Sequence, residues 1–188
     1  MKKFTNLVLG LFLVSSLFMG CQKDDNSANN YLMVGNTKYA MAQGTIENNG
    51  LMQGDSRKYD GYNLDLTLYS GGFTLSTDDN GELNVSGTGH MIYLEIYTSS
   101  AEEYDNLEYT YSDSYPAPVG TFDYGDYVLN YSPGSIDYKW IEITSGSVTI
   151  SKSGSIYTII IDCIDEEGNS VSGYFKGALQ YFDNTTSI

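Results

Sequence analysis

Alternation of apolar and polar side chains with a period of two residues is the feature that most constrains the fold of this chain. The alternation is clearest over Tyr62–Tyr69 and returns at His90–Tyr97 and Ile156–Ile164. Successive side chains of a strand point to opposite faces of its sheet, so this pattern is typical of strands with one buried face. No segment of comparable length has a strong helical period, and the one helix candidate is a turn or two near Ser99–Leu107. The sequence therefore predicts an all-β protein.

The last quarter of the chain gives the clearest strand pattern. Tyr138–Ser151, Ile156–Ile164 and Ser170–Phe182 are predicted as three long strands, joined by links short enough for hairpins. Consecutive hairpins form an antiparallel meander. The parity of the apolar positions changes near Ser145–Ser147, which predicts a β-bulge that keeps both parts of the strand facing inward.

Shorter strands and turns are expected before this meander. A hairpin is predicted at the start of the domain, followed by a polar loop over residues 47–61. The other short strands are predicted at Phe73–Ser76, 82–87, Thr121–Tyr124 and Tyr127–Tyr131. Together the segments amount to about eight to ten strands in one domain, residues 31–188, which is a length suited to a single core. We predict an antiparallel β-sandwich with a C-terminal meander, and a lipocalin-like closed β-barrel as the alternative.

The first 20 residues have the features of a secretory signal. A positive start, Met1–Lys3, is followed by an apolar run from Leu7 to Met19, which is shorter than the ~20 residues of a membrane-spanning helix. A small residue, Gly20, directly precedes Cys21. This arrangement resembles a bacterial lipoprotein signal, which implies that Cys21 is lipidated, for example by palmitate, and becomes the mature N-terminus.

Residues 21–30 are predicted to be the lipidated cysteine and a flexible tether, because they are polar and have no apolar period. Gln22–Asn26 resembles the acidic export tag of surface-exposed lipoproteins of the Bacteroidetes type. The resemblance implies a protein anchored to the outer membrane by lipid and facing the cell exterior. It covers only residues 1–26 and implies nothing about the fold of the domain.

Charge restricts the partners of the domain. The formal net charge is -15 at pH 7, with 9 Lys and Arg against 24 Asp and Glu. So few cations cannot neutralise a phosphate backbone, which excludes nucleic acid as a partner. Anionic headgroups would also repel this surface, so the membrane link is expected to be the acyl chains alone.

No sequence motif indicates catalysis. The sequence has no nucleotide-binding loop and no zinc-ligand spacing, and no Gly-x-Ser-x-Gly motif accompanies the single histidine, His90. With Cys21 lipidated, Cys163 has no disulfide partner and is expected to be a small buried thiol. We expect a protein that is not an enzyme and that has neither a cofactor nor a metal site.

The most distinctive segment for function is 101–140, which holds eight Tyr, eight Asp or Glu and the only Trp. Tyr and Trp offer flat apolar faces with a polar rim, which suit stacking on sugar rings or anchoring a protein interface. We predict glycan binding by six residues of this segment: Tyr109, Tyr111, Tyr115, Tyr124, Tyr127 and Trp140.

Two other roles are compatible with the same residues. The aromatic side chains could form an interface that makes the protein a structural or accessory subunit of an envelope complex or a surface appendage. A closed barrel could instead hold a lipophilic molecule.

Overall fold

The computed structural model describes residues 30–51, 58–78, 81–104 and 106–186. These residues form thirteen β-strands and one short 3-10 helix, Asn184–Thr186. The strands are β1 (Tyr31–Val34), β2 (Thr37–Ala40), β3 (Gln43–Leu51), β4 (Tyr62–Tyr69), β5 (Phe73–Thr77), β6 (Leu83–Gly87), β7 (Gly89–Thr98), β8 (Glu108–Tyr111), β9 (Thr121–Tyr131), β10 (Trp140–Ser153), β11 (Ile156–Asp165), β12 (Ser170–Gly177) and β13 (Gln180–Asp183). The prediction of an all-β fold is confirmed.

Eleven strands form one mixed sheet in the order β13-β3-β4-β7-β9-β8-β10-β11-β12-β1-β2. Most neighbours are antiparallel, but β13 runs parallel to β3 and β8 runs parallel to β9. The hairpin of β5 and β6 forms a separate two-stranded sheet. The predicted antiparallel meander is present as β10, β11 and β12.

Two short links show that the large sheet curls over on itself. Met41 and Ala42 join β2, at one edge of the sheet, to β3, next to the opposite edge. Ala178 and Leu179 likewise join β12 to β13. Since a two-residue link holds the strand ends that it joins within three residue steps, or at most ~11 Å, the two ends of the sheet must lie close together. The strands at these ends, β13 and β2, do not pair with each other, so the sheet does not close into a barrel within the described residues.

The curl brings two halves of the sheet face to face across one apolar core. We call β3, β4, β7 and β9 the groove half, and β10, β11, β12 and β1 the meander half. Leu66 and Leu94 of the groove half belong to the same buried cluster as Ile159 and Val171 of the meander half. This two-layer packing agrees with the predicted sandwich, in which the inward side chains of both layers form the core.

Two predicted strands have different bounds in the structure. The predicted strand Ser170–Phe182 is two strands, because the chain leaves β12 after Gly177, packs Leu179 against the core and continues as β13 beside β3. The two short strands predicted over Thr121–Tyr131 are one strand, β9.

The predicted loop 47–61 was wrong at its start, because β3 continues to Leu51. Polar side chains do not interrupt this strand, since they find partners across it. The amide of Asn48 donates to Asp183 Oδ1 over 3.2 Å and that of Asn49 to Asn63 Oδ1 over 3.0 Å. Residues 52–57 of the predicted loop lie outside the described residues.

The helix candidate near Ser99–Leu107 is not helical in its described part. Tyr104 is instead fully buried in the core, where its hydroxyl donates to the backbone oxygen of Leu64 over 3.2 Å. One deeply packed tyrosine therefore fixes this segment. Elsewhere in the described chain, no helix is long and apolar enough to cross a bilayer.

Two further predictions concern the interior of the meander. The predicted bulge in β10 is present as a register shift between Ile143 and Ser145. Cys163 is buried, which confirms the expected small buried thiol, and burial raises the pKa of this thiol to about 12. Residues 1–29, which include the predicted signal peptide, Cys21 and most of the predicted tether, lie outside the described residues.

Candidate functional site

The outward face of the groove half carries an unusual density of tyrosines and carboxylates. The inward side chains Ile92, Leu94 and Ile96 of β7 lie in the core. The alternate residues of β7 therefore point outward, and they lie beside the outward residues of β4 and β9. This face holds Asp65, Thr67, Tyr93, Glu95, Tyr97, Tyr124 and Asp126.

Two small clusters close the face at its ends. At one end the β5–β6 hairpin packs over the sheet, with Phe73 against Tyr69, Met91 and Val128. At the other end the ring of Tyr59 stacks on that of Tyr97, with 4.8 Å between centroids and 17° between planes. A groove therefore runs along the strand direction between the hairpin and Tyr59.

The part of the groove next to the hairpin, which we call the stacking compartment, has aromatic walls. Tyr93, Tyr124 and Trp140 line it together with Leu83 and Val85 of the hairpin, around a cavity of about 390 Å³. Trp140 reaches this face because β10 begins alongside β9, with Trp140 opposite Val128. Tyr124 and Trp140 are each 40% exposed, so part of each ring is open to a ligand.

The part next to Tyr59, which we call the polar compartment, is lined mainly by hydrogen-bonding groups. Asn49, Lys58, Asn63, Glu95 and Asp123 surround a cavity of about 670 Å³ together with Tyr59, Tyr97 and Tyr124. Tyr124 lines both compartments. The two compartments are therefore neighbouring parts of one groove.

A hydrogen-bonded chain of carboxyls and phenols forms the floor between the compartments. Tyr93 Oη lies 2.8 Å from Asp65 Oδ2 and 3.1 Å from Glu95 Oε1. Tyr97 Oη lies 3.3 Å from Glu95 Oε2 and 2.5 Å from Asp123 Oδ1. Each phenol has one proton to donate, so neither tyrosine can donate to both of its carboxylate neighbours at once.

Burial alters the acidity of this floor. It raises the pKa of Asp65 to about 6, although hydrogen bonds from Tyr93, Asn63 and Asn49 act in the opposite direction. Burial and the nearby carboxylates raise the pKa of Tyr93 and of Tyr97 well above the usual range of a phenol. The floor therefore presents neutral phenols and a carboxyl that takes up a proton in mild acid.

Comparison of the chain with protein-family models, with curated proteins and with solved structures finds no match. The function therefore has to be inferred from the groove itself.

The structure divides the six predicted ligand residues. It brings Tyr124 and Trp140 together in the stacking compartment. Tyr111 is half-buried, packs against the core and meets the ring of Phe122 edge-on. Tyr115 is 71% exposed and lines neither compartment.

Tyr109 and Tyr127 lie in the core, so the prediction that they bind ligand was wrong. The hydroxyl of Tyr127 donates to Asp165 Oδ2 over 2.7 Å, which satisfies its polar end inside the protein. A tyrosine whose hydroxyl has a hydrogen-bond partner inside the protein can be buried in the core. The density of tyrosines along the sequence does not show which tyrosines have such a partner.

Sequence reasoning missed Asp65, Tyr93, Glu95 and Tyr97. The signal was present, because these residues occupy the polar face of two strands whose opposite faces are strongly apolar. Aromatic and acidic residues on the outward faces of neighbouring strands form one surface. Counting such residues along a single segment of the sequence does not detect this surface, because its residues come from different segments.

Other features of the described surface are less suited to ligand binding. A cavity of about 640 Å³ lies between β3, β13 and residues 101–102, but its described lining has two aromatic residues, Tyr62 and Tyr181, against four in the stacking compartment. Among the described residues, no three His, Cys, Asp or Glu side chains are placed to hold a metal ion.

Proposed function

We propose that this protein is a non-enzymatic surface lipoprotein that binds a glycan in the groove. The main support is the convergence of Tyr93, Tyr124 and Trp140 on one cavity beside a polar floor. Aromatic rings provide flat faces for the C–H surfaces of sugar rings. Carboxylates accept hydrogen bonds from sugar hydroxyls, and amides can accept or donate them; Glu95 and Asn49 provide such groups in the polar compartment.

Binding can be tested with the purified, detergent-solubilised protein and a panel of soluble polysaccharides. The panel holds neutral α- and β-glucans, mannan, xylan and galactan, and the acidic alginate and polygalacturonate. A ligand at 100 times its dissociation constant stabilises the fold by about 2.7 kcal/mol, which a thermal unfolding scan detects. We expect at least one neutral polysaccharide to raise the unfolding temperature.

Substitution of Trp140 by Ala should weaken this binding about tenfold or more, because it removes the largest stacking surface of the compartment. Tyr115→Ala is the matched control, since Tyr115 is an exposed aromatic residue outside the groove. Release of new reducing ends from the bound polysaccharide would contradict the non-enzymatic part of the proposal.

A panel without any binding would favour the second candidate, a structural or accessory subunit of an envelope complex. Ile160 and Ile164 of β11 support that role, because they are 47% and 40% exposed on the meander half and offer an apolar contact surface. The predicted carriage of a lipophilic molecule has less support. It needs an open interior, whereas Tyr104, Tyr109, Tyr127 and Tyr157 pack in the core.

The membrane anchor is proposed from the sequence resemblance alone. Lipidation of Cys21 would place the domain on the outer membrane, facing the exterior. Labelling of growing cells with radioactive palmitate should mark the wild-type protein and Cys163→Ser, but not Cys21→Ser. Label that persists in Cys21→Ser would contradict the proposed anchor.

A further inference from the structure

We infer that the groove binds an extended oligosaccharide without acidic groups, whose sugar rings occupy the stacking and polar compartments at the same time. This inference rests on the proposed glycan binding and adds the length and charge class of the ligand.

The two compartments are continuous with each other. Tyr124 lines both compartments, and the hydroxyl of Tyr93, a residue of the stacking compartment, lies 3.1 Å from Glu95 Oε1 in the polar compartment. Tyr93 and Glu95 are successive outward residues of β7, and no strand or loop of the described residues lies between them. A ligand can therefore pass from one compartment to the other along the sheet.

The two compartments together are larger than a single sugar ring. The two compartments, at about 390 and 670 Å³, each have the volume of a site for a small ligand, which ranges over ~300–1,000 Å³. The floor runs along β4 from Tyr69 to Asn63, which is ~20 Å at ~3.4 Å per residue. One sugar ring fills neither the combined volume of the compartments nor the length of the floor, whereas a chain of several rings fills both.

The two compartments differ in their chemistry. The stacking compartment offers apolar ring faces, which hold a sugar through its C–H surface. The polar compartment offers amide and carboxylate groups, with the rings of Tyr59 and Tyr97 almost completely buried behind them. A short ligand should therefore prefer the stacking compartment, and only a longer chain should gain from Asn49, Asn63 and Asp123.

Charge determines the class of sugar. Carboxylates of Glu47, Glu95, Asp123 and Asp126 line the groove, with Lys58 the one basic residue among the described lining residues. A chain of uronic acids or sulfated sugars would bring further negative charge against these groups. We therefore expect neutral sugars to bind and acidic ones to be rejected.

The test uses oligosaccharides of two to eight rings cut from whichever panel polysaccharide binds, with calorimetry on the detergent-solubilised protein. We expect affinity to rise at least tenfold from two rings to the length that fills both compartments, and then to level off. Trp140→Ala should weaken binding at every length, whereas Asp123→Ala should weaken only that of the longer chains. Asp137→Ala is the matched control, because Asp137 is exposed and lines neither compartment.

The possible results separate the inference from the function on which it rests. Affinity that does not rise beyond two rings, equal loss at all lengths in Asp123→Ala, or binding confined to acidic oligosaccharides would overturn the inference while leaving glycan binding intact. Absence of binding across the whole panel would overturn both. If Asp123→Ala does not fold, Asp123→Asn keeps the shape of the side chain and tests the same compartment.

Discussion

Tyr93 has one hydroxyl proton and two carboxyl neighbours, and this imbalance governs the chemistry of the groove floor. Its phenol lies within hydrogen-bond distance of both Asp65 and Glu95. The phenol can donate to only one of them, so the other contact is a hydrogen bond only if that carboxyl is protonated and donates to the phenol oxygen. Asp65 is the better candidate, because its pKa is raised to about 6.

The raised pKa of Asp65 predicts an unusual pH dependence of stability. The carboxyl holds its proton more tightly in the folded state, with a pKa of about 6 against the ordinary value of 3.8. Its contribution to stability is therefore fully present below pH 4 and is lost as the pH rises through 6. A shift of this size corresponds to roughly 3 kcal/mol at most.

Substitution of Asp65 by Asn should remove this contribution. We expect the free energy of unfolding of the wild type, relative to Asp65→Asn, to fall by as much as about 3 kcal/mol between pH 4 and pH 7. Denaturant titrations at several pH values measure this difference. His90, whose pKa is lowered by burial, acts with the opposite sign but is present in both proteins and cancels. A difference between the two proteins that does not vary with pH would contradict the prediction.

At the scale of single strands, periodicity was informative wherever one face of a strand meets the core. β4 and β11 have nearly the bounds that their alternation predicts. The bulge in β10 was also predictable, since the parity of its apolar residues changes at the bulge. In these strands each side chain is clearly apolar or polar, so that its direction follows from its chemistry.

Strand β9 shows where this reasoning fails. A register shift opposite Glu95 and Ile96 inserts one extra residue, Asp123, so that Phe122 and Tyr127 both face inward although they are five positions apart. Gly125 takes an inward position between them, where a Cβ atom would lie 2.6 Å from the side chain of Leu94. Tyrosine fits either face and glycine carries no polarity signal, so the sequence did not reveal which tyrosines reach the groove.

The groove itself was predictable only in part. Trp140 and Tyr124 were identified from the density of aromatic residues in one segment. Their partner Tyr93 comes from a distant strand and joins them only because β7 pairs with β9. The sequence does not specify this order of strands, because each strand in the curled sheet has two edges and many candidate neighbours.

At the scale of the whole molecule, the two halves of the sheet depend on each other for a shared core. Neither half buries its apolar face alone, since residues of both form one cluster. The C-terminal segment links them further, because the chain passes from β12 of the meander half to β13, which pairs with β3 of the groove half. Unfolding should therefore be a single cooperative transition.

Substitution of Phe182 by Ala tests this cooperativity at a distance from the groove. Phe182 is a buried residue of β13, and its truncation should cost about 3–5 kcal/mol. Trp140 is the only tryptophan and lies on β10, so its fluorescence reports on another part of the molecule. We expect fluorescence and far-ultraviolet circular dichroism to shift to the same lower denaturant midpoint, while the exposed neighbour Gln180→Ala leaves both unchanged. A Trp140 transition that stays in place while the dichroism shifts would show that β13 unfolds separately from the strands around Trp140.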